Sequence, residues 1–533
     1  MLRSSTAVLA FLVSSLAADG VLLAAAPEIS VARPAPRVVQ GALPPAPCPL
    51  DEELGEPAPL LPVQLLEDVP GKGAGKSGLP LLRLLPPSDP RVAQAERLLD
   101  NEAARFVLRL LHRIRAEVAE GADLPALPIV LRPGGNHART GYRLATGRAA
   151  PLEFPERPYV ALELRADRLS HTLLHEGAHV VHRLCQPRGA AEAAWSAVPH
   201  STFAVTDPAT ALSEGYAIHL ETLWGHFGAD PDRRAFYHHL APAFGAEAGL
   251  GAEFFWPVRD LLSFSQNWAR YQAVRDGTPA FSGVVRPGDY LRSQYDPARD
   301  FSELRPANGQ ISCEGNVASV LFWVAGAWAG VKEGGGLDQD GLVQAETALA
   351  RALGLACKRN TTAFRPDVVD VIAACGPSSS ARARQAIEIF VGITRGITAR
   401  PELRARWRGL YASALGADFG ASRPALEVLD AARRELVTRA LADPSVLRSG
   451  LGPVVPVRAE GPELGIAGLG MKFAREFDLN AATRAELALL RPAGRMRATS
   501  ILAERDRRPF ASLADFEQRT GIAAAAAGLT LVR

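Results

Sequence analysis

Apolar side chains recur at helical and at strand spacing through the first part of the chain. From residue 89 to about residue 120 they follow a helical period. The expected buried face of this segment consists of Phe106, Leu108, Leu110, Leu111 and Ile114. Short apolar runs near residues 129–131 and 142–144, and an alternating run at residues 159–164, predict strands. Together these segments predict a small sheet that is covered by helices.

Beyond the sheet the pattern becomes mostly helical. Residues 170–184 are mostly apolar or small outside their histidines and contain no proline, which favours a helix. Residues 213–221 predict another helix, and helical spacing continues to about residue 450. We therefore expect an α+β fold that is mostly helical, with a small sheet plus helices followed by a helical subdomain.

Length and charge bound the organisation of the chain. The 533 residues exceed one typical core, which predicts two domains after a leader. We place the first domain at residues 88–455 and a small all-α domain at residues 474–525. The net charge of +2 gives no overall attraction to nucleic acid or to membranes.

The N-terminal segment has the pattern of an export signal. Residues 1–26 combine Arg3 with an apolar run and small residues at two candidate cleavage points, which predicts a cleaved signal peptide and a secreted or periplasmic protein. No later segment has the length and apolarity of a membrane span. Residues 27–87 are rich in proline and glycine and predict a linker or leader, including a glycine-rich run at 70–77 that imitates a phosphate-binding loop.

Five cysteines remain after such processing, and an oxidising location would permit disulfides. Cys357 and Cys375 are the nearest pair in sequence and form the candidate bridge, although spacing alone does not fix connectivity. The spacing of the cysteines has no metal-binding signature.

The run His175-Glu176-Gly177-Ala178-His179 carries the strongest chemical signal. Two histidines four residues apart on a helix present both imidazoles on one face, which suits Zn²⁺, and the intervening Glu176 can act as a general base. A catalytic zinc also needs a third protein ligand. The candidate is Glu214, within the predicted helix at residues 213–221, where small neighbours would permit close approach to another helix.

This second helix reads Glu214-Gly215-Tyr216-Ala217, with Glu221 one further turn along. In these residues the chain resembles the gluzincin metallopeptidases, in particular their aminopeptidase-like branch. The resemblance implies that His175, His179 and Glu214 bind zinc and that Glu176 activates the water that attacks a peptide carbonyl. The separation of the two helices is longer than in the best-known members, so a loop containing Trp195, His200 and Asp207 is an alternative source of the third ligand.

Other groups should support this chemistry. His182 and Glu221 are expected to orient the ligands. The developing oxyanion needs a donor, for which Tyr216 and Tyr290 are the main candidates, with His226 and Tyr295 as alternatives that the sequence does not separate. The expected substrate is a peptide or protein.

A second motif lies at residues 478–522, where a spaced pattern of Asp478, Asn480, Gly494, Phe510 and Gly521 closely resembles the helix-hairpin-helix domain of the competence DNA-receptor type. The resemblance implies that hairpin backbone N–H groups hold a DNA phosphate. The candidate contacts are Gly494, Arg495 and Arg497, with Arg491, Arg505, Arg507 and Arg508 as further cations. Pro492 stands where the family usually places its first glycine and removes one N–H donor. The alternative is a helical module that packs on the first domain or binds another protein.

Two functions follow from these patterns. The leading hypothesis is an exported zinc metallopeptidase that its C-terminal domain localises. The alternative is an exported DNA-binding or scaffold protein whose metallopeptidase-like domain is inactive. Zinc stoichiometry combined with a chelator-sensitive peptidase assay separates the two.

Overall fold

The structure is a computed structural model. It describes residues 60–70, 78–118, 124–133, 136–147, 150–164, 169–187, 208–227, 307–312, 314–330, 338–359, 366–377, 380–393, 423–459, 465–466, 471–472, 476–480, 482, 487, 490 and 494–531. Within these ranges no helix has both the length and the apolarity that crossing a bilayer requires.

The first part of the fold is a small closed β-barrel. Its five strands are β1 (Val63–Asp68), β2 (Leu81–Leu84), β3 (Leu127–Leu131), β4 (His137–Ala145) and β5 (Leu152–Leu162). They neighbour one another in the order β1-β2-β4-β5-β3, and β3 closes the barrel by pairing in parallel with β1. Strands β4 and β5 form a long antiparallel hairpin.

Alternation along the strands separates two cores. Tyr159 and Ala161 of β5 point into the barrel, while Val160 and Leu162 pack towards the helices. The barrel interior is filled by Leu66, Leu82, Val130, Tyr142, Leu144, Tyr159 and Ala161. The predicted strands near residues 129–131 and 142–144 are confirmed, and the third begins earlier than predicted, at Leu152.

The expectation of a linker or leader across residues 27–87 is wrong for two segments. Residues 63–68 form β1 and residues 81–84 form β2, so both belong to the barrel. The apolar run Val63, Leu65 and Leu66 is fully buried, and this burial outweighs the proline and glycine that surround it. Residues 1–59, with the predicted signal, and the phosphate-loop-like residues 71–77 lie outside the described residues.

The predicted helical segment at residues 89–120 consists of two helices, α1 (Pro90–Leu99) and α2 (Glu102–Glu117). The break occurs because the side chain of Asn101 accepts a hydrogen bond from Ala104 N at 2.9 Å and so caps a new helix. The predicted buried face is confirmed: Phe106, Leu108, Leu110, Leu111 and Ile114 are all buried.

After the barrel, helices continue to residue 451 in the described ranges. They are α3 (Leu169–Cys185), α4 (Pro208–Phe227), α5 (Ala307–Ile311), α6 (Glu314–Trp328), α7 (Gln339–Arg359), α8 (Val368–Ala373), α9 (Ala381–Ile393), α10 (Arg423–Ala442) and α11 (Ser445–Leu451). They share one continuous apolar core with α1, α2 and the outer face of the barrel. The described chain is therefore α+β and mostly helical, as expected.

The C-terminal unit, residues 455–531, has a core of its own. It contains β6 (Pro456–Ala459), β7 (Gly465–Ile466), β8 (Met471–Lys472), β9 (Glu476–Asp478), α12 (Gly494–Arg507), α13 (Leu513–Thr520) and β10 (Leu529–Leu531). The prediction of an all-α domain is wrong, since β6 pairs with both β9 and β10. Val455 and Val457 belong to this core, so the unit begins earlier than residue 474, the predicted start of the second domain.

The candidate Cys357–Cys375 disulfide is not present, because neither cysteine forms a bridge. The Cys375 thiol instead donates to Val371 O of its own helical turn at 3.3 Å, and burial raises its pKa to about 12. Cys185 is likewise unbridged and donates to Ala350 O at 3.3 Å. Cys48 and Cys313 lie outside the described residues.

Candidate metal centre

Helix α3 carries the His-Glu-x-x-His run, and the predicted helix is confirmed. His175 and His179 are one turn apart on one face, with ring centroids 5.0 Å from each other. Gly177 lies on another face, where a Cβ atom would come within 2.5 Å of Val107 Cγ1 in α2. A glycine is therefore required between the histidines for the two helices to pack this closely.

Helix α4 brings Glu214 to the two histidines. Glu214 Oε2 lies 3.6 Å from His175 Nε2 and 3.4 Å from His179 Nε2. Ligand atoms of the three residues all lie within 4.8 Å of one another, and no other such group of metal-binding side chains occurs among the described residues. The sequence thus identified the three side chains that the fold brings together, and the alternative loop at residues 195–207 lies outside the described residues.

The opposite nitrogen of each imidazole is held by α4. His175 Nδ1 lies 3.1 Å from Glu221 Oε2, and His179 Nδ1 lies 3.3 Å from Ser213 Oγ. These bonds fix the ring orientations and direct both Nε2 atoms towards Glu214. The role of Glu221 was predicted from sequence, but that of Ser213 was missed. The available signal was a hydroxyl next to Glu214 on the predicted helix.

Charge converges on this cluster. Burial by itself would lower the pKa of His175, but the carboxylates of Glu214 and Glu221 outweigh it and raise that pKa well above its usual value. Three carboxylates, counting Glu176, thus surround two imidazoles and favour a cation among them. A set of two histidines and one glutamate matches the ligands of many catalytic zinc sites, so the side chains present fit that ion.

Glu176, the predicted general base, lies between the two histidines in sequence and is buried beside them. Its side chain is 6% exposed, and burial raises its pKa, while His179 and His175 act in the opposite direction. The carboxylate also accepts a hydrogen bond from the backbone of Ala138 in β4. The start of β4 therefore lies directly against helix α3.

A close contact between α4 and α6 fixes the position of Glu214 along the axis of α4. A Cβ atom at Gly215 would meet Val317 Cγ1 at 2.7 Å and the carbonyl oxygen of Glu314 at 2.8 Å, both in α6. The expectation that small residues beside Glu214 permit close helix packing is confirmed. Substituting Gly215 would force α4 and α6 apart.

Tyr216 does not face the cluster, so the prediction that it donates to an oxyanion is wrong. It lies two residues after Glu214, which places it about 200° around the helix. Its hydroxyl donates to Glu346 Oε2 of α7 at 3.2 Å, and the side chain is 1% exposed. Tyr290, the other main candidate, and Tyr295 lie outside the described residues, as does the side chain of His226.

His182, predicted to orient a ligand, lies one turn beyond His179 and is buried. Its Nδ1 atom is 3.2 Å from Nε2 of Gln186, the residue that directly follows α3. This contact ties His182 to the end of α3, and a role towards the ligands stays a prediction.

The cations of the C-terminal unit are mostly engaged within it. Gly494 begins α12 and Arg497 is exposed on it, whereas the side chain of Arg495 lies outside the described residues. Arg505 is buried and donates to the carbonyl oxygens of Ala482 and Leu479. Among the further candidates, Arg507 pairs with Glu504 and Arg508 pairs with Asp515, at 2.8 and 3.0 Å.

Comparison of the chain with family models, with curated proteins and with solved structures found no match.

Proposed function

We propose that this chain is a zinc-dependent metallopeptidase of the gluzincin type. The observation that carries the proposal is the convergence of His175 Nε2, His179 Nε2 and Glu214 Oε2, while Glu221 and Ser213 hold the outer nitrogens of both rings. A buried core in which the histidines were merely satisfied would not require all three ligand atoms to face one another. In this arrangement the Nε2 atoms of His175 and His179 both point towards one position beside Glu214 Oε2.

His175, His179 and Glu214 would hold the ion. When bound, zinc supplies a Lewis acid that polarises the peptide carbonyl and makes water acidic near neutral pH. The remaining chemistry belongs to Glu176, which takes the proton from the attacking water and passes it to the leaving amine. Burial raises the pKa of Glu176, which brings the carboxylate closer to the pKa that suits both accepting and returning a proton.

Two measurements test the proposal. Purified wild-type protein should contain one zinc per chain, and its hydrolysis of a mixed peptide library should cease with a chelator and return with added zinc. Glu176→Gln should keep the zinc and lose about 10²- to 10⁴-fold in turnover, the usual contribution of a general base.

Glu96→Gln provides the matched control, because Glu96 is exposed on α1. It should keep both the zinc and the activity. A wild-type protein that binds no zinc, or a Glu176→Gln variant that hydrolyses peptides at the wild-type rate, would overturn the proposal.

We propose no second function. Binding of DNA by the C-terminal unit and the secreted or periplasmic location stay predictions from the sequence. Arg505 is buried and donates to main-chain carbonyl oxygens, which removes one of the further cations on which a phosphate contact would rely.

A further inference from the structure

Behind the candidate metal centre, α4 contributes two side chains to a buried polar network. Tyr216 donates to Glu346 Oε2 at 3.2 Å, and His219 Nε2 lies 3.0 Å from Glu346 Oε1. His219 and Glu346 are both 0% exposed, and the rings of Tyr216 and His219 meet edge to face at 4.7 Å. We call Tyr216, His219 and Glu346 the Glu346 network.

The network and the ligand lie on opposite sides of the same helix. Taking 100° per residue from Glu214, Tyr216 lies at about 200° and His219 at about 140°, whereas Glu221 returns to within about 20° of Glu214. One side of α4 therefore faces the histidines of α3, and the other side faces α7. Between them, Gly215 packs against α6.

These contacts restrain different motions of α4. The tight contact at Gly215 limits how closely α4 approaches α6, but it provides no side-chain hydrogen bond that favours one rotation of the helix about its axis. The two hydrogen-bonding contacts with Glu346 are directional and oppose such rotation. A rotation of about 20° would displace a carboxylate that lies about 6 Å from the axis by about 2 Å, enough to remove it from a zinc coordination shell.

Burial makes the loss of any contact in the Glu346 network energetically costly. A carboxylate within an apolar core is stable only where its oxygens are paired, so any movement of α4 that breaks these contacts is opposed. The Cys185 end of α3 also packs on α7, since the Cys185 thiol donates to Ala350 O. Helix α7 therefore contacts both α3 and α4 and restrains their positions relative to each other.

We propose that the Glu346 network positions Glu214, through the rotation of α4, for metal binding. Tyr216, His219 and Glu346 are positioning residues that touch neither the ion nor the substrate. This inference rests on the proposed zinc site.

The test compares two tyrosine hydroxyls. Tyr216→Phe removes the donor to Glu346 and leaves the ring in place. Tyr142→Phe removes a hydroxyl from a tyrosine that is equally buried, but inside the barrel. For each full-length variant, the zinc dissociation constant is measured by competition with a chromophoric chelator, and the visible absorption of the Co²⁺-loaded protein is recorded.

We expect Tyr216→Phe to weaken zinc binding about 5-fold, somewhat less than for a group that touches a ligand directly. The Co²⁺ spectrum should change, since a displaced carboxylate alters the ligand field, while Tyr142→Phe should match the wild type in both measurements. A purely structural role for Tyr216 would lower thermal stability and leave the affinity and spectrum unchanged.

A second substitution keeps the test decisive if the first one is accommodated. Glu346→Gln retains an oxygen for Tyr216 and offers an amide to His219, so it should preserve the zinc affinity, whereas Glu346→Ala should lose more of it than Tyr216→Phe. Equal affinities and spectra for the wild type, Tyr216→Phe and Glu346→Ala would overturn the inference while the zinc site stands. A wild type without zinc would overturn the proposed function as well.

Discussion

The helix pair α3 and α4 and the C-terminal unit both contain concentrated polar side chains, but the two regions use them differently. In the helix pair, Glu221 and Ser213 hold the outer nitrogens of the histidines, and the inner nitrogens face Glu214. In the C-terminal unit, buried Arg505 donates to main-chain carbonyls, and buried Asp478 accepts from the main-chain N–H groups of Val455 and Asn480. One region directs its polar atoms at a shared point, and the other uses them to complete its own fold.

The difference shows what a sequence motif leaves undecided. Both regions match a spaced pattern, yet a pattern does not say whether a side chain faces a ligand or its own backbone. Arg505 looks like a cation available for phosphate, but its contacts are with carbonyl oxygens. The arrangement of partners, rather than residue type, separates a binding group from a structural one.

Removing the Arg505 side chain should cause the largest loss of stability, and this loss should be confined to the C-terminal unit. Arg505→Ala leaves the carbonyl oxygens of Ala482 and Leu479 without their donor inside the core of the unit. We expect the unit to lose about 2–5 kcal/mol of stability, since each buried acceptor left unsatisfied costs about 1–3 kcal/mol. Hydrogen exchange of the α12 and α13 amides in the full-length protein measures this loss.

Arg507→Ala is the matched change, since exposed Arg507 pairs only on the surface with Glu504. It should alter stability by less than about 1 kcal/mol. Zinc affinity should be unchanged in both variants. A fall in zinc affinity with Arg505→Ala would show that the two regions are coupled and would break the comparison.

Adding one methyl group at Gly215 should affect the helix pair strongly. In Gly215→Ala the new Cβ would overlap Val317 and the Glu314 backbone, which we expect to cost about 1–3 kcal/mol and to weaken zinc binding by displacing Glu214. Thermal unfolding and zinc competition measure the two effects.

Gly354→Ala, in α7, is the control for that experiment. A Cβ atom there meets Val118 Cγ1 at 3.6 Å, an ordinary contact, so the better helix propensity of alanine should leave stability equal or slightly higher. If both alanine variants behave alike, the close packing of α4 on α6 is not what fixes Glu214.

Removing the Ser213 hydroxyl should have a smaller effect that is specific to the ion. Ser213→Ala leaves His179 Nδ1 without its partner on α4, and we expect zinc binding to weaken about 10-fold. Thr438→Ala, which removes an exposed hydroxyl from α10, should leave the affinity unchanged. An unchanged affinity in Ser213→Ala would mean that His179 is oriented by other contacts.

The smallest effect on stability should come from Arg497, which is exposed on α12. Arg497→Ala should change stability by less than about 0.5 kcal/mol. If the unit binds DNA, the variant should reduce the slope of log affinity against log salt by about one, measured by titration of a labelled duplex. A wild type whose duplex affinity does not fall with salt excludes the phosphate contact altogether.

The amphipathic helices and the common face of His175 and His179 were predictable because each depends on local spacing. The periodicity of α2 predicted its buried face, and the four-residue separation of His175 and His179 set their common face. Helical geometry could also have excluded Tyr216 as an oxyanion donor, since two residues from Glu214 is the opposite side of the helix. The resemblance of this helix to the family motif depends on the residue type of Tyr216 and does not give the direction of its side chain.

Other features depend on contacts distant in the chain. Strand β1 is recognisable only through its parallel pairing with β3. In this pairing Val63 lies opposite Leu127, which is 64 residues further along the chain. Ser213 is ordinary in sequence and gains its role from the position of His179. Likewise, the sheet of the C-terminal unit pairs β6 with β10 at the end of the chain. Strand pairings between residues this far apart cannot be predicted from the local amino-acid composition.

The parallel pairing of β1 with β3 also limits how far the chain can be shortened from its N-terminus. Removal of an N-terminal segment is compatible with this fold only if the cut falls before Val63, because a later cut would open the barrel along β1. Strand β3 would then expose unpaired backbone groups, which are a template for association with another chain. A chain shortened past that point would therefore tend to associate through β3.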